Sequence, residues 1–143
     1  MKISGEQLYK LIPQRPPIVM VDTLWYALDK EAETGLTVCQ DNLFVSGGCL
    51  REPGLIEHIA QSAAAFAGYG TFVAGLEPRL GFIGEIKKCR INLLPEVGAV
   101  LRTHLSILGE AAGVTLLSAQ TTIDGQADAA VVAECQMKIF LKN

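Results

Sequence analysis

Residues 52–69 read Glu-Pro-Gly-Leu-Ile-Glu-His-Ile-Ala-Gln-Ser-Ala-Ala-Ala-Phe-Ala-Gly-Tyr, and they constrain the fold more than any other stretch. The run has the marks of a single long helix. Pro53 suits a first helical turn, where its missing N–H costs nothing. Glu52 and Glu57 place negative charge near the positive end of the helix dipole. Gly68 and Gly70 predict the stop. Between these signals, Leu55, Ile56, Ile59, Ala60, Ala63, Ala64, Phe66 and Ala67 leave almost no polar face. A helix apolar nearly all round is enclosed by other elements. This one is too short, and too polar at its start, to span a membrane. The rest of the chain reads mainly as strands, so what encloses the helix is sheet.

Three polar residues sit inside this apolar run: Glu57, His58 and Gln61. A carboxylate with no basic residue within helical reach is unusual in a core. Burial raises a carboxyl pKa, which suits a group that gives or takes a proton near neutral pH. Gln61, four residues on, shares a face with Glu57 and is placed to hold it. A plainer reading stands beside this one. Glu57 lies near the helix start, where a partly solvated carboxylate serves the dipole.

The chain has 143 residues, which predicts one domain with a sizeable core. Half of the residues are hydrophobic, and the mean hydropathy of +0.32 is high for a soluble monomer, so an oligomer is expected. The net charge is −3 and basic runs are absent, which makes nucleic acid a poor partner. The N-terminal segment lacks the basic and apolar regions of a signal peptide, so the cytoplasm is the expected compartment. Of the four cysteines, Cys39, Cys49, Cys89 and Cys135, no two are spaced C-x-x-C, and His58 and His104 are far apart. A metal site is therefore not expected. Cys39, Cys89 and Cys135 read as small apolar packing residues. Cys49 lies in a glycine loop just ahead of the helix, where a thiol pKa can fall, but no base stands at a recognisable spacing and packing is favoured there too.

Along the chain, Ser4-Gly5-Glu6-Gln7 has the spacing of a capping box for a short helix to Leu11. Arg15-Pro16-Pro17 is an extended linker. Strands are predicted at 18–21, 25–28 and 33–38, the last two flanking a turn at Asp29-Lys30-Glu31. Asp41-Asn42 is a turn, and Phe44 to Leu50 is a glycine loop leading into the helix. After a linker at Gly75 to Pro78, strands follow at 80–93, 99–108, 114–123 and 131–141. Gly81 and Gly84 predict a bulge or a close approach in the first of these. Leu101, Thr103, Leu105 and Ile107 alternate with Arg102, His104 and Ser106, which puts His104 toward solvent or a partner strand. Gly109 to Gly113 and Asp124-Gly125 are hairpin turns. The pattern predicts an α+β domain, a curved antiparallel sheet wrapped around one long helix, with an edge that invites a second copy.

Three segments resemble a known family. Ile12-Pro13-Gln14-Arg15-Pro16-Pro17-Ile18-Val19-Met20-Val21-Asp22 is similar to the opening L-P-H-R-x-P-x-L-L-V-D of the 3-hydroxyacyl-[acyl-carrier-protein] dehydratases. Pro53 to Gln61 resembles their P-G-V-L-x-x-E-A-x-A-Q, shortened by two residues, and Leu94-Pro95-Glu96-Val97-Gly98 stands where they have a V-x-P-G-D-type turn. The segment from Gly54 to Ala64 looks closest to the dehydratase-like proteins of aryl-polyene and flexirubin-type pigment clusters. The resemblance spans nearly the whole chain. It implies a hotdog fold over residues 1–143.

The resemblance also implies chemistry. In that family a loop histidine takes the C2 proton of a 3-hydroxyacyl thioester, and a helix carboxylate attends the C3 hydroxyl as it leaves as water. The two groups come from different subunits. Here Glu57 matches the carboxylate, and His58 or a partner residue would complete the pair. Gly54 and Leu55 match the backbone N–H donors at the thioester carbonyl, and Gln61 joins them at the substrate. Gly48 occupies the place of the loop histidine. His58 cannot duplicate that geometry, because adjacent helix positions point about 100° apart. The expected partners are an acyl-carrier protein, whose phosphopantetheine carries the substrate, and a second hotdog subunit, identical or related; no other cofactor is expected. Two further readings are a hotdog thioesterase, which needs only the helix carboxylate, and a non-catalytic acyl-binding subunit, which the glycine at position 48 favours.

Overall fold

The computed structural model describes residues 2–77, 81–125 and 130–141. The apolar stretch forms helix α1, Glu52–Val73, with Pro53 in its first turn. Around it curves an antiparallel sheet of β1 (Ile3–Ser4), β2 (Thr23–Ala27), β3 (Glu31–Thr37), β6 (Gly81–Ile91), β7 (Val100–Ala111), β8 (Val114–Ile123) and β9 (Val131–Leu141), in the order β1-β2-β3-β7-β8-β9-β6. A small hairpin, β4 (Val45–Ser46) with β5 (Cys49–Leu50), precedes the helix. Leu55, Ile59, Ala63 and Ala65 of α1 pack against Leu24, Leu36, Leu101, Leu105 and Met137 of the sheet, all buried. The helix in its curved sheet is the architecture the resemblance implies.

Alternation along β7 follows the predicted faces. Leu101, Thr103 and Leu105 are fully buried, while Arg102, His104 and Ser106 lie on the outer face. There His104 stands opposite Glu33 of β3. Glu33 accepts hydrogen bonds from Arg102 Nε at 2.7 Å and Tyr26 Oη at 3.0 Å. Partial burial pushes its carboxyl up, but these two bonds and the nearby guanidinium outweigh that and hold it below the usual range. Burial and the adjacent carboxylate push the Tyr26 hydroxyl up to about 12. Arg102 also stacks over Trp25, 4.3 Å from the ring centre.

The helix ends later than its glycines predict. Gly68 and Gly70 lie inside it, and the helix stops at Ala74–Gly75. Gly75 has φ +75°, Leu76 N–H donates to Thr71 C=O, and Gly75 N–H donates to Phe72 C=O. This is a Schellman stop. Gly68 serves contact instead, since a Cβ there would overlap the Leu11 carbonyl.

Other expectations are corrected. Gly5–Lys10 is a 3-10 helix whose Ser4 makes no side-chain cap, so the capping box does not form. Residues 18–21 form no strand; they follow a bend at Ile18 and bury Met20 and Val21 without joining a ladder. Gly109 to Ala111 continue β7, leaving a tight turn at Ala112–Gly113. Cys135 is buried as expected, whereas Cys39 and Cys89 are exposed. Cys49 is part of β5, across from Glu96. The predicted bulge in β6 is present, with register shifts at Ile83/Glu85 and Lys87/Arg90. Residues 78–80 of the predicted linker and strand lie outside the described residues.

Candidate active site

Glu57 sits on the second turn of α1, half-buried. Its Oε1 accepts a hydrogen bond from Gln61 Nε2 at 2.8 Å, as the four-residue spacing predicts. Gln61 is itself fully buried and fully used. The same Nε2 donates to Ile18 C=O at 2.8 Å, and Oε1 accepts from Met20 N–H at 2.6 Å. One amide thus holds both the carboxylate and the irregular backbone of 18–20. That explains how this segment satisfies its polar groups without a ladder.

His58 points elsewhere. It is fully buried, with Nδ1 2.6 Å from Met20 C=O and Nε2 2.8 Å from Thr103 Oγ1. A carbonyl can only accept, so Nδ1 carries the proton and Nε2 accepts from the Thr103 hydroxyl. Thr103 Oγ1 in turn lies 2.6 Å from Thr121 Oγ1. Burial lowers the His58 pKa below its ordinary 6.5 and keeps the ring neutral. With both nitrogens engaged in the core, His58 does not meet Glu57 as a catalytic couple.

Glu57 lines a cavity of about 280 Å³ together with Gln14, Ala60, Ala64, Phe82 and Ile83. The walls are largely apolar, and the carboxylate is the acid at their edge. Arg15 shapes the approach by donating to Ile12 C=O at 2.7 Å, Gln14 C=O at 2.8 Å and Tyr9 C=O at 3.0 Å.

The other expected site residues are not brought to this cavity. Gly54 and Leu55 N–H both donate to Arg51 C=O, at 2.9 and 3.2 Å. Those donors are committed to closing the first turn, so neither is free for a thioester. Gly54 instead packs under Phe44 and Leu50, where a Cβ would sit only 2.6 Å from Phe44 Cβ. Gly48 is exposed in the β4–β5 turn, with Gly47 at φ +62° and Gly48 at φ +78°. That pair fits a type I′ hairpin. Gly48 C=O accepts from Val97 N–H at 3.0 Å. Among the described residues no cluster of metal-ligating side chains occurs.

Gln14 is a site residue that the sequence does not single out. It lines the Glu57 cavity, and its Oε1 is buried without a hydrogen-bond partner among the described residues. Such an atom costs about 1–3 kcal/mol and marks a place where polarity is kept for a reason other than stability. Its position beside Arg15 in the Ile-Pro-Gln-Arg-Pro run was the available signal. Phe82 and Ile83 were also missed as cavity walls, because strand alternation alone does not say which strand follows the helix face.

Comparison with known proteins agrees with this fold. The ApeP-like family, described as ApeP dehydratase, matches residues 6–143. The dehydratase heterocomplex ApeI:P of Xenorhabdus doucetiae is similar in structure, at TM-score 0.85 and 18% identity, covering 95% of this chain and 91% of that one. The PaaI protein of the E. coli phenylacetic acid degradation operon is more distant, at TM-score 0.64 and 11% identity over 82% and 80% of the two chains. A hypothetical thioesterase of Streptococcus pneumoniae, solved with coenzyme A, gives the same TM-score and identity over 84% of each chain. No curated protein sequence matches. At these identities the structural likenesses show the hotdog fold, whereas the family match covers nearly the full chain and carries the assignment. The chain belongs to the ApeP-like dehydratase family and is a dehydratase-like hotdog protein.

Proposed function

We propose that the protein dehydrates a 3-hydroxyacyl thioester carried on the phosphopantetheine of an acyl-carrier protein, in fatty-acid or polyene-pigment synthesis. Glu57 is the acid. A base removes the proton at C2, the C2–C3 double bond forms, and the C3–O bond breaks. The hydroxyl takes a proton from Glu57 and leaves as water; the base and Glu57 then exchange protons with solvent, so the cycle closes. The observation that carries this reading is Glu57 itself, fixed by Gln61 at 2.8 Å at the edge of an apolar cavity.

The base is a histidine of a second hotdog subunit, because His58 is locked in the core and Gly48 stands where the family's loop histidine would be. Two features support a partner. Strand β6 is bound by β9 on one side only, and it exposes Phe82, Ile83 and Ile86. Phe82 and Ile83 also wall the Glu57 cavity, so a subunit packed on β6 closes the site over the carboxylate. The similar Xenorhabdus assembly is described as a heterocomplex, which favours a related rather than identical partner. The cytoplasm, where carrier proteins work, is the setting of this reading. Among the described residues no helix is long and apolar enough to cross a membrane.

The test is turnover of a 3-hydroxyacyl carrier-protein thioester by the chain alone and with its hotdog partner, followed by mass spectrometry for loss of water. Glu57→Gln is expected to lower the rate by about 10²–10⁴ with the fold unchanged. Release of free thiol in place of water assigns the site to a thioesterase. Acyl binding with no turnover in either assembly makes the protein a binding subunit.

A further inference from the structure

The run Pro13-Gln14-Arg15-Pro16 takes no part in the chemistry proposed above, yet Gln14 lines the Glu57 cavity. Among the described walls only Glu57 and Gln14 have polar side chains; the rest are alanine, glycine, phenylalanine and isoleucine. The backbone that carries Gln14 is tied down. The Arg15 guanidinium donates to Gln14 C=O at 2.8 Å, to Ile12 C=O at 2.7 Å and to Tyr9 C=O at 3.0 Å, and it stacks over the Tyr9 ring at 4.8 Å. The amide at the end of the side chain is not tied. Its Oε1 is buried with no hydrogen-bond partner among the described residues. The last torsion of a glutamine is broad, so this amide turns at little cost. A methionine would fill the same space with no orphaned acceptor.

The C3 hydroxyl of the substrate needs more than Glu57. A hydroxyl has one O–H and two lone pairs. To leave as water, its oxygen must aim a lone pair at the Glu57 proton, so its own O–H must point elsewhere. Between apolar walls an O–H with no acceptor is unfavourable. It would turn onto the Glu57 carboxyl instead, with its hydrogen toward the group that should protonate it. The amide of Gln14 is the one other side-chain acceptor in the described walls.

We propose that Gln14 accepts a hydrogen bond from the substrate's 3-hydroxyl and so presents an oxygen lone pair to Glu57. The oxygen keeps its own hydrogen on Gln14, takes the second from Glu57, and departs as water. Gln14 is thereby the residue that selects a 3-hydroxyacyl chain over the same chain without its hydroxyl. This rests on the reading of Glu57 as the acid of the acyl site, and it names the group by which that site recognises its substrate.

Three non-hydrolysable pantetheine amides, octanoyl, 3-fluorooctanoyl and 3-hydroxyoctanoyl, test the contact by calorimetry on the full-length protein with its hotdog partner. The hydroxylated amide is expected to bind about tenfold tighter than the octanoyl amide. The fluorinated one, which has no O–H to donate, is expected to bind like octanoyl. A fluorinated amide that binds as tightly as the hydroxylated one, equal affinity for all three, or no binding of any overturns the proposal without need of a variant. Gln14→Met is expected to remove most of the hydroxyl preference, leave octanoyl affinity within about twofold, and keep a urea midpoint at or above that of the unaltered protein, since it deletes an orphaned acceptor. In turnover, its kcat is expected to fall about 10–100-fold with a smaller change in KM. A variant that keeps the preference, or whose midpoint drops, makes Gln14 a structural residue and overturns the proposal. Hydroxyl preference lost in Gln14→Met, with no water released from any 3-hydroxyacyl thioester, upholds the contact and refutes the dehydratase reading. Water released equally fast by Gln14→Met refutes the contact and leaves that reading standing.

Discussion

Gln61 joins the candidate site to the core, because a single side chain makes three hydrogen bonds to Glu57, Ile18 and Met20. Replacing it with methionine keeps the volume but strands the Met20 N–H and the Ile18 C=O. The expected loss is about 2–4 kcal/mol, read from urea denaturation, together with a fall in activity that adds nothing further when Glu57 is already replaced by Gln. His58 predicts a pH dependence. Its pKa is lowered in the folded state, so below the ordinary 6.5 the unfolded chain binds a proton that the folded chain refuses. Stability is therefore full above about pH 6.5 and falls as the pH drops through and below that value. His58→Gln is expected to be less stable at neutral pH, yet to show a flatter profile between pH 7 and 5 in urea midpoints. Of this site, the Glu57–Gln61 contact was legible because it is local, four residues along one helix. The burial of His58 was not, since its partners Met20 and Thr103 lie 38 and 45 residues away.

Within α1, two glycines of identical local sequence character have opposite roles. Gly68 admits the Leu11 carbonyl, and a Cβ there meets backbone that cannot move aside. Gly70 has open space around its Cβ position. Gly68→Ala is therefore expected to destabilise by at least about 2 kcal/mol, and Gly70→Ala to stabilise by about 0.5–1 kcal/mol, both from thermal unfolding. Counting glycines as stop signals merged these two cases, because close approach by a distant segment leaves no local mark. The same limit explains residues 18–21. Their apolar run reads as a strand, but side chains of α1 rather than a neighbouring strand satisfy the backbone. Where period and turn chemistry suffice, as in β8 and β9, the predicted bounds hold to the residue.

At the scale of the molecule, the sheet ends in a long strand, β6, that exposes Phe82, Ile83 and Ile86. Phe82 is 51% exposed and Ile83 41% exposed, and both also wall the cavity, so under the proposed function association and chemistry share residues. Phe82→Glu is expected to shift the protein toward monomer in sedimentation velocity, and to lower turnover even with carrier substrate in excess. The buried hydroxyl and imidazole groups suggest a different kind of consequence. His58, Thr103 and Thr121 form one relay from helix to β7 to β8, and each depends on the next for its only polar company in that direction. Among distant kin, these three positions should drift together, an apolar residue at one entailing apolar residues at the others. The run at 18–20 is gripped through its main chain by α1 and through the buried Met20 side chain by the core, so its letters can change only among apolar residues.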